Sequence, residues 1–398
     1  MNAAVTARRL KKFLLGPLRL RGYFRRPGEG RVHPDLPACV LLWAQVIAYV
    51  LREYSFHGIE SLVCSGARRG LAVGCSFGDD ALGYFTERLN AEPTRRALAQ
   101  VLLRTKRNKA FDAHAYVGFA LDGTGAGHSR KARCRLCRPQ YNAKHEVIGY
   151  THGISAISVV GAGLPLPFDV EPYGPGDSEY SASQRLLRRA VGALGRRFAQ
   201  YVVVDGEYAT APFLHAVQDV GLHVVARLKG NLPELFAAAQ ARFGRCAPTC
   251  KFKAGKDRIE MWDADDFDPW ESLRWTTVRV IRYRQHKTDG TVCEAYWLTD
   301  FSKKRVGPKT LYRMAKSRWE IENGTFNDGK NRYGLKHVPH HQDNSLVIHW
   351  LLVLFAMTIE RLYRVRHLHR GFHQPLSAIE FVRLLRLSLA SPAYVDTS

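Results

Sequence analysis

Apolar residues recur at helical spacing through the first hundred positions and at strand spacing from about residue 112 onward. The early spacing predicts a helix over 38–53 and two more over 80–89 and 94–104. Asp79/Asp80 and Pro93/Thr94 supply the starts of the last two. Residues 27–37, with Pro27, Pro34 and Pro37, read as a linker. Residues 115–121 alternate, with Val117, Phe119 and Leu121 on one side and Asp122 on the other. Strands are expected over 146–160 and 164–170, and a helix over 178–198 with Leu186, Leu187, Ala190, Val191 and Leu194 on one face. The run Val202-Val203-Val204 suits a strand buried on both faces, followed by a helix over 211–220 and a strand over 222–228. Strands return between 231 and 310, where Asp289-Gly290 marks a hairpin joining 276–284 to 291–298. Helical sequence resumes at Lys309, and a long amphipathic helix covers 345–366.

This order describes an α/β protein in three parts. They are a helical region (1–110) whose basic clusters are expected to bind DNA, an α/β domain (111–230 and 311–398), and a β-rich insertion (231–310). Charge then narrows the partner. With 59 Lys+Arg against 36 Asp+Glu the formal balance is +23. Nucleic acid is the expected ligand, because a protein that neutralises phosphates releases their condensed counterions. The first 32 residues hold Arg8, Arg9, Lys11, Lys12, Arg19, Arg21, Arg25, Arg26 and Arg31 against one acid, Glu29. Such a leader reads either as a transit peptide or, in better accord with the whole-chain charge, as a phosphate-gripping arm. Eight dispersed cysteines fit a reducing compartment, and a cytoplasmic, bacterial, nucleoid-associated location is expected, with no membrane partner. The longest apolar run, around residues 351–357, is too short to span a bilayer.

Two acids end apolar strands just before a glycine, Asp122 in Leu121-Asp122-Gly123 and Asp205 in Val204-Asp205-Gly206. In α/β proteins such positions face a crevice. A third acid on a later helix would complete a carboxylate set for a hard divalent cation. The stretch Arg318-Trp319-Glu320-Ile321-Glu322 offers two choices. Arg318 and Glu322, four apart, share a helix face, and Glu320 points away.

These motifs resemble those of insertion-sequence transposases of the DDE type, whose catalytic domain is ribonuclease H-like. LDGTG at 121–125 resembles the first-aspartate strand, VVVDGEY at 202–208 the second, and RWEIEN at 318–323 the third-acid helix. The long interval from Asp205 to Glu322 matches the subgroup with a β-rich insertion and a Y-R-E-K signature. The resemblance implies Asp122, Asp205 and Glu322 as catalytic and Mg²⁺-binding (or Mn²⁺-binding) residues, two ions per site, with Asp122 bridging them. It also implies Arg318 and Lys330 as phosphate-holding donors. The implied activity is hydrolysis at element ends followed by attack of the freed 3′-OH on target DNA. The implied partners are the inverted-repeat ends, target DNA and a second copy of the chain in a synaptic homodimer. In the resembled subgroup an insertion tryptophan stacks on a flipped base; Trp262, Trp270, Trp275 or Trp297 could serve, with core packing the stronger expectation for each. The chain departs from the pattern twice. Ala315 stands where the tyrosine would fall, with Tyr312 one turn earlier, and Lys330 lies eight rather than seven residues beyond Glu322. The alternatives are a domesticated, non-catalytic DNA-binding relative and another ribonuclease H-like nuclease or resolvase.

Cys134 and Cys137, with His128 before them, have the spacing of half a zinc site. The other half could come from Cys246 and Cys250 or from His145 and His152.

Overall fold

The computed structural model describes residues 5–25, 27–368 and 376–390; Arg26 of the basic leader and the last eight positions of the expected catalytic domain lie outside them. Helices α1 (Ala7–Leu15), α2 (Leu20–Tyr23), α3 (Ala38–Val50), α4 (Phe56–Cys64), α5 (Ala67–Gly70), α6 (Asp79–Arg88) and α7 (Ala91–Arg107) precede the first strand. Next come β1 (Gly118–Ser129), β2 (Cys137–Tyr141), β3 (Val147–Val160), β4 (Leu166–Tyr173), α8 (Glu179–Leu194), β5 (Tyr201–Val204), α9 (Ala211–Asp219) and β6 (His223–Leu228). α10 (Pro233–Arg245) then leads into β7 (Cys250–Ala254), β8 (Asp257–Phe267), β9 (Val278–His286) and β10 (Val292–Thr299). The chain closes with α11 (Pro308–Lys316), α12 (Trp319–Ile321), a π-helical turn (Glu322–Asn327), α13 (Asp328–Arg332), α14 (Asp343–His367) and α15 (Ala378–Ala390).

One mixed sheet organises the molecule. β3 pairs antiparallel with β1, and β2 and β4 pair in succession along its other edge. β5 and β6 follow β1 in parallel. Taking β1, β3, β4, β5 and β6 as strands 1 to 5, the spatial order is 3-2-1-4-5, an antiparallel meander with two parallel strands added, which is the ribonuclease H-like arrangement expected from the sequence. The inserted strands do not form a separate sheet. β10 pairs antiparallel with β6 and carries β9, β8 and β7 outward, so the insertion prolongs the catalytic sheet.

Helices cover both faces. Ser155 and Ser158, three apart on β3, point to opposite sides. Ser155 meets Ser183 of α8 (2.7 Å), and Ser158 meets Thr325 of the π turn (2.7 Å). α14 is long and apolar enough to cross a bilayer, but 94% of its most apolar window is buried inside the fold, so it is a core helix. α3, apolar nearly all round, packs on it, as such a helix must.

Three sequence expectations change. The helix begun at Ala38 stops at Val50 instead of 53, because Arg52 turns left-handed (φ 64°) to pair with Glu360. β1 runs on to Ser129 through a glycine-rich stretch whose small residues carry no apolar rhythm. The basic leader is neither a free arm nor a detached extension. Leu10, Phe13 and Leu14 of α1 are buried, Phe13 lies edge-on to Tyr363 of α14, and the Ala7 N–H donates to Ser388 of α15 (2.9 Å). Arg8, Arg9 and Lys12 stay on the exposed side.

Candidate active site

The two strand-end acids are levelled by register. β1 and β5 pair in parallel as Gly118↔Tyr201, Phe119↔Val202 and Ala120↔Val203, and Asp122 and Asp205 continue that same offset. They therefore lie level with each other, Asp205 just past the end of β5 and Asp122 within β1 two residues beyond its last pairing with β5. Opposite Asp122 on β3 is Ala156, which points to the same face as Ser158. Asp122 thus faces the side covered by α12 and the π turn. Gly123 faces the other side, where a side chain would run into the carboxylate of Glu179 (1.9 Å from an added Cβ).

The third acid arrives on that covering helix. Arg318 is buried and donates to Glu322 Oε1 (2.7 Å) while its other terminal nitrogen lies 3.7 Å from Asp122 Oδ2. It also helps hold Asp205 in its charged form. One guanidinium is thereby shared among all three expected acids. Glu320 points away, as its helix position requires, and accepts from the Gly161 N–H (3.2 Å); burial pushes its carboxyl up to about 7.

The extra residue before Lys330 is absorbed by the π turn. On an unbroken α-helix, eight residues overshoot two turns by about 80°, whereas seven fall about 20° short. A π turn takes up one additional residue, about 100° of rotation, and returns Lys330 to the position seven residues would give. Lys330 accordingly donates to Thr124, two residues beyond Asp122 on the same face of β1. Arg361 of α14 staples the turn, donating to the carbonyls of Gly324 and Pro165 and to Asp328 Oδ2 (3.2 Å). Asp328 is held by Arg361 and Arg332.

Charge in the cleft is finely divided. Burial raises the Asp122 carboxyl, Arg318 opposes this, and Glu179 and Glu322 add to it, leaving it pushed up to about 7. Burial acts the same way on Asp205, but the hydrogen bond from Lys229 Nζ (2.7 Å), the Gly206 N–H and the charges of Lys229 and Arg318 together outweigh it and hold that carboxyl below its ordinary range. Arg227 is close enough to Asp205 and Arg318 to feel both. Neither Lys229 nor Arg227 stood out in the sequence; both alternate along the end of β6, the strand beside Asp205. Glu179 accepts from the hydroxyls of Tyr208 (2.6 Å) and Tyr173 (3.1 Å), and Glu171 and Asp177 are taken up by Arg185 and Arg189. Ser178 caps α8, accepting from the Ser181 N–H.

Other expectations are corrected. Tyr312 is buried between Phe252 and Tyr283, away from the acids, so it cannot stand in for the signature tyrosine there. Trp262 and Trp297 are core residues; Trp270 and Trp275 are partly exposed, and the Trp275 N–H donates to Gln218. His128 does not join Cys134 and Cys137: it is exposed beyond a bulge at Gly127, with its ring over Gly149. His145 sits in the β2–β3 turn, and Cys246 and Cys250 flank the α10–β7 connection. Cys134 and Cys137 instead gather with His152 and His341.

No curated protein sequence matches the chain. A cryo-EM structure of the piggyBac transposase synaptic complex with hairpin DNA aligns with 10% identity and a TM-score of 0.45, over 99% of this chain and 83% of that one. The family model described as Transposase DDE domain matches residues 113–359, a span that includes Asp122, Asp205 and Glu322. The chain belongs to the DDE-domain transposase family.

Proposed function

We propose that the protein cuts DNA at the ends of a mobile element and joins the freed 3′-OH to target DNA, with Asp122, Asp205 and Glu322 as its catalytic acids. The observation that carries this reading is the parallel β1–β5 register, which levels Asp122 with Asp205, together with Arg318 joining Glu322 to Asp122. The donor set suits Mg²⁺ or Mn²⁺: Asp122 and Glu322 share one buried guanidinium beside Asp205, and burial, with smaller contributions from Glu179 and Glu322, pushes the Asp122 carboxyl up to about 7. A pair of such ions held by these acids would supply Lewis acidity toward the attacking and leaving oxygens of a phosphodiester.

The chain's own groups do the rest. Arg318, buried and doubly engaged, fixes the Glu322 side chain toward Asp122. Lys229 and Lys330 flank the acids and would hold backbone phosphates without reading sequence. Asp122, whose carboxyl is pushed up to about 7, would be drawn to its ionised form when positive charge enters the cleft. The net charge of +23 supports a polyanionic substrate. Synapsis of two ends calls for at least a homodimer on DNA.

The test is a cleavage and strand-transfer assay with purified protein, Mg²⁺ or Mn²⁺, and DNA carrying the candidate inverted-repeat ends. Cleavage is expected from the wild-type protein and is lost in Asp205→Asn and Glu322→Gln. Activity surviving either substitution would overturn the assignment.

A further inference from the structure

Outside the acid cleft, the structure brings four metal-ligating side chains together from three separate segments. Cys134 and Cys137 come from the turn leading into β2, His152 from β3, and His341 from the connection between α13 and α14. Their donor atoms all lie within 4.8 Å of one another. The sulfurs of Cys134 and Cys137 are 3.5 Å apart, and His152 Nε2 is 3.3 Å from one and 3.5 Å from the other. A tetrahedral zinc with its usual bond lengths sets sulfur–sulfur at ~3.8 Å and sulfur–nitrogen at ~3.5 Å. A 3.5 Å separation is far beyond a disulfide bond, and both thiols are free.

The surroundings are those of a ligand set. Backbone N–H groups of Leu136 and Arg133 point at the sulfurs of Cys134 and Cys137, the pattern of a metal-binding turn. His152 is buried, and its Nδ1 lies 3.2 Å from the Ala126 carbonyl, which fixes the proton there and leaves the Nε2 lone pair aimed at both sulfurs. His341 Nδ1 is buried with no hydrogen-bond partner. An unpaired buried nitrogen is costly, and a bound cation removes that cost. We infer that Cys134, Cys137, His152 and His341 bind one structural zinc ion.

All four positions are filled by protein, so the site is closed and has no place for substrate. Its position suggests a purpose. The β1 bulge at Gly127 has positive φ (77°), and an added Cβ would meet Val338 (2.7 Å), so β1 and the 336–338 segment touch just beyond Thr124 and Lys330. Arg135, between the two cysteines, donates to Asp343 at the start of α14 (2.7 Å) and ties the turn into β2 to the chain just beyond His341. Zinc would clamp the connection leaving the third-acid helix onto β3 and the turn into β2, with His152 paired to Ala126 on the strand that carries the first acid. The inference is independent of whether the protein transposes DNA.

Metal analysis and cobalt substitution on the full chain test it. Protein purified under reducing conditions and dialysed against a weak chelator is expected to retain one zinc per chain, and so is the Asp122→Asn/Glu322→Gln variant. With Co²⁺ in place of Zn²⁺, strong visible bands and near-ultraviolet thiolate charge transfer of a tetrahedral two-sulfur site are expected. Cys134→Ser and Cys137→Ser should remove these bands. His341→Gln, at a half-buried position, should leave the chain folded and weaken zinc binding by at least about tenfold. The inference fails if the folded, reduced protein holds no stoichiometric zinc, if cobalt gives the weak spectrum of a six-coordinate ion, or if the cysteine substitutions leave zinc in place. A Cys134–Cys137 disulfide in zinc-free protein, seen as two missing hydrogens by mass spectrometry, would also overturn it.

Discussion

Replacing Asp122 by Asn should stabilise the metal-free protein, increasingly as pH rises from about 4 to 7 and fully above that. The Asp122 side chain is 20% exposed, and its carboxyl is pushed up to about 7 by burial and by Glu179 and Glu322, against the pull of Arg318. An unfolded aspartate titrates near 3.9, so the folded state binds the proton more tightly by about three units, at most ~4 kcal/mol. Residual solvent contact and local relaxation reduce this to roughly 2–3 kcal/mol. The sign follows from linkage. Between about pH 4 and 7 the folded chain carries the extra proton, so stability falls as pH rises through that window and the full cost stands above it. Asn removes the charge and still accepts from the Gly123 N–H, as Asp122 does at 3.0 Å. Urea unfolding in EDTA should therefore show the variant more stable by roughly 2–3 kcal/mol at pH 8 and near parity at pH 4.5. Glu320, also pushed up to about 7, titrates in both proteins and cancels in the difference. Millimolar Mg²⁺ should stabilise the wild type alone, since only it keeps the full acid set. An Asn variant less stable than wild type at pH 8 in EDTA, or an offset independent of pH, would refute the reasoning.

Three further outcomes are expected. Deleting Asn323, exposed in the π turn, should leave DNA affinity nearly unchanged because Lys330 keeps its direction. Adding one alanine there turns Lys330 by about 100° and should match Lys330→Met, lowering the salt slope of DNA binding in fluorescence anisotropy by about one. Arg361→Met strands the Gly324 and Pro165 carbonyls and leaves Asp328 to Arg332 alone, and should cost about 3 kcal/mol in urea unfolding. Gly123→Ala pushes a methyl into the Glu179 carboxylate and should destabilise by about 1–3 kcal/mol, less so in a Glu179→Ala background.

Much of the catalytic sheet was legible because its strands announce themselves. Val202-Val203-Val204 is buried throughout, and an acid before glycine at its end could hardly lie elsewhere than at a crevice. Choosing Glu322 over Glu320 needed only the four-residue spacing to Arg318. The π turn was not legible. Gly324 and Gly329 signal a weakened helix, but the feature that holds the turn is Arg361, far along the chain in a helix that reads as apolar. The zinc ligands were half-read for the same reason. Cys134 and Cys137 are neighbours in sequence, whereas His341 reaches them only through the fold, and the nearer His128 is turned outward by the Gly127 bulge. In the leader, nine basic residues masked the spacing of Leu10, Phe13 and Leu14, which marks a docked face. Lys229 gave no signal because a lone lysine after a strand is ordinary; only pairing of β6 with β5 brings it to Asp205.

The claim that Asp122, Asp205 and Glu322 form one divalent-metal site is tested most directly by anomalous diffraction from crystals grown with Mn²⁺. Manganese peaks ligated by Asp122 and Asp205, with Glu322 in reach of the same cluster, are expected, and they should vanish in Asp205→Asn. Peaks at Glu179 in place of these acids, or manganese that leaves Asp122 and Asp205 unligated, would contradict the account.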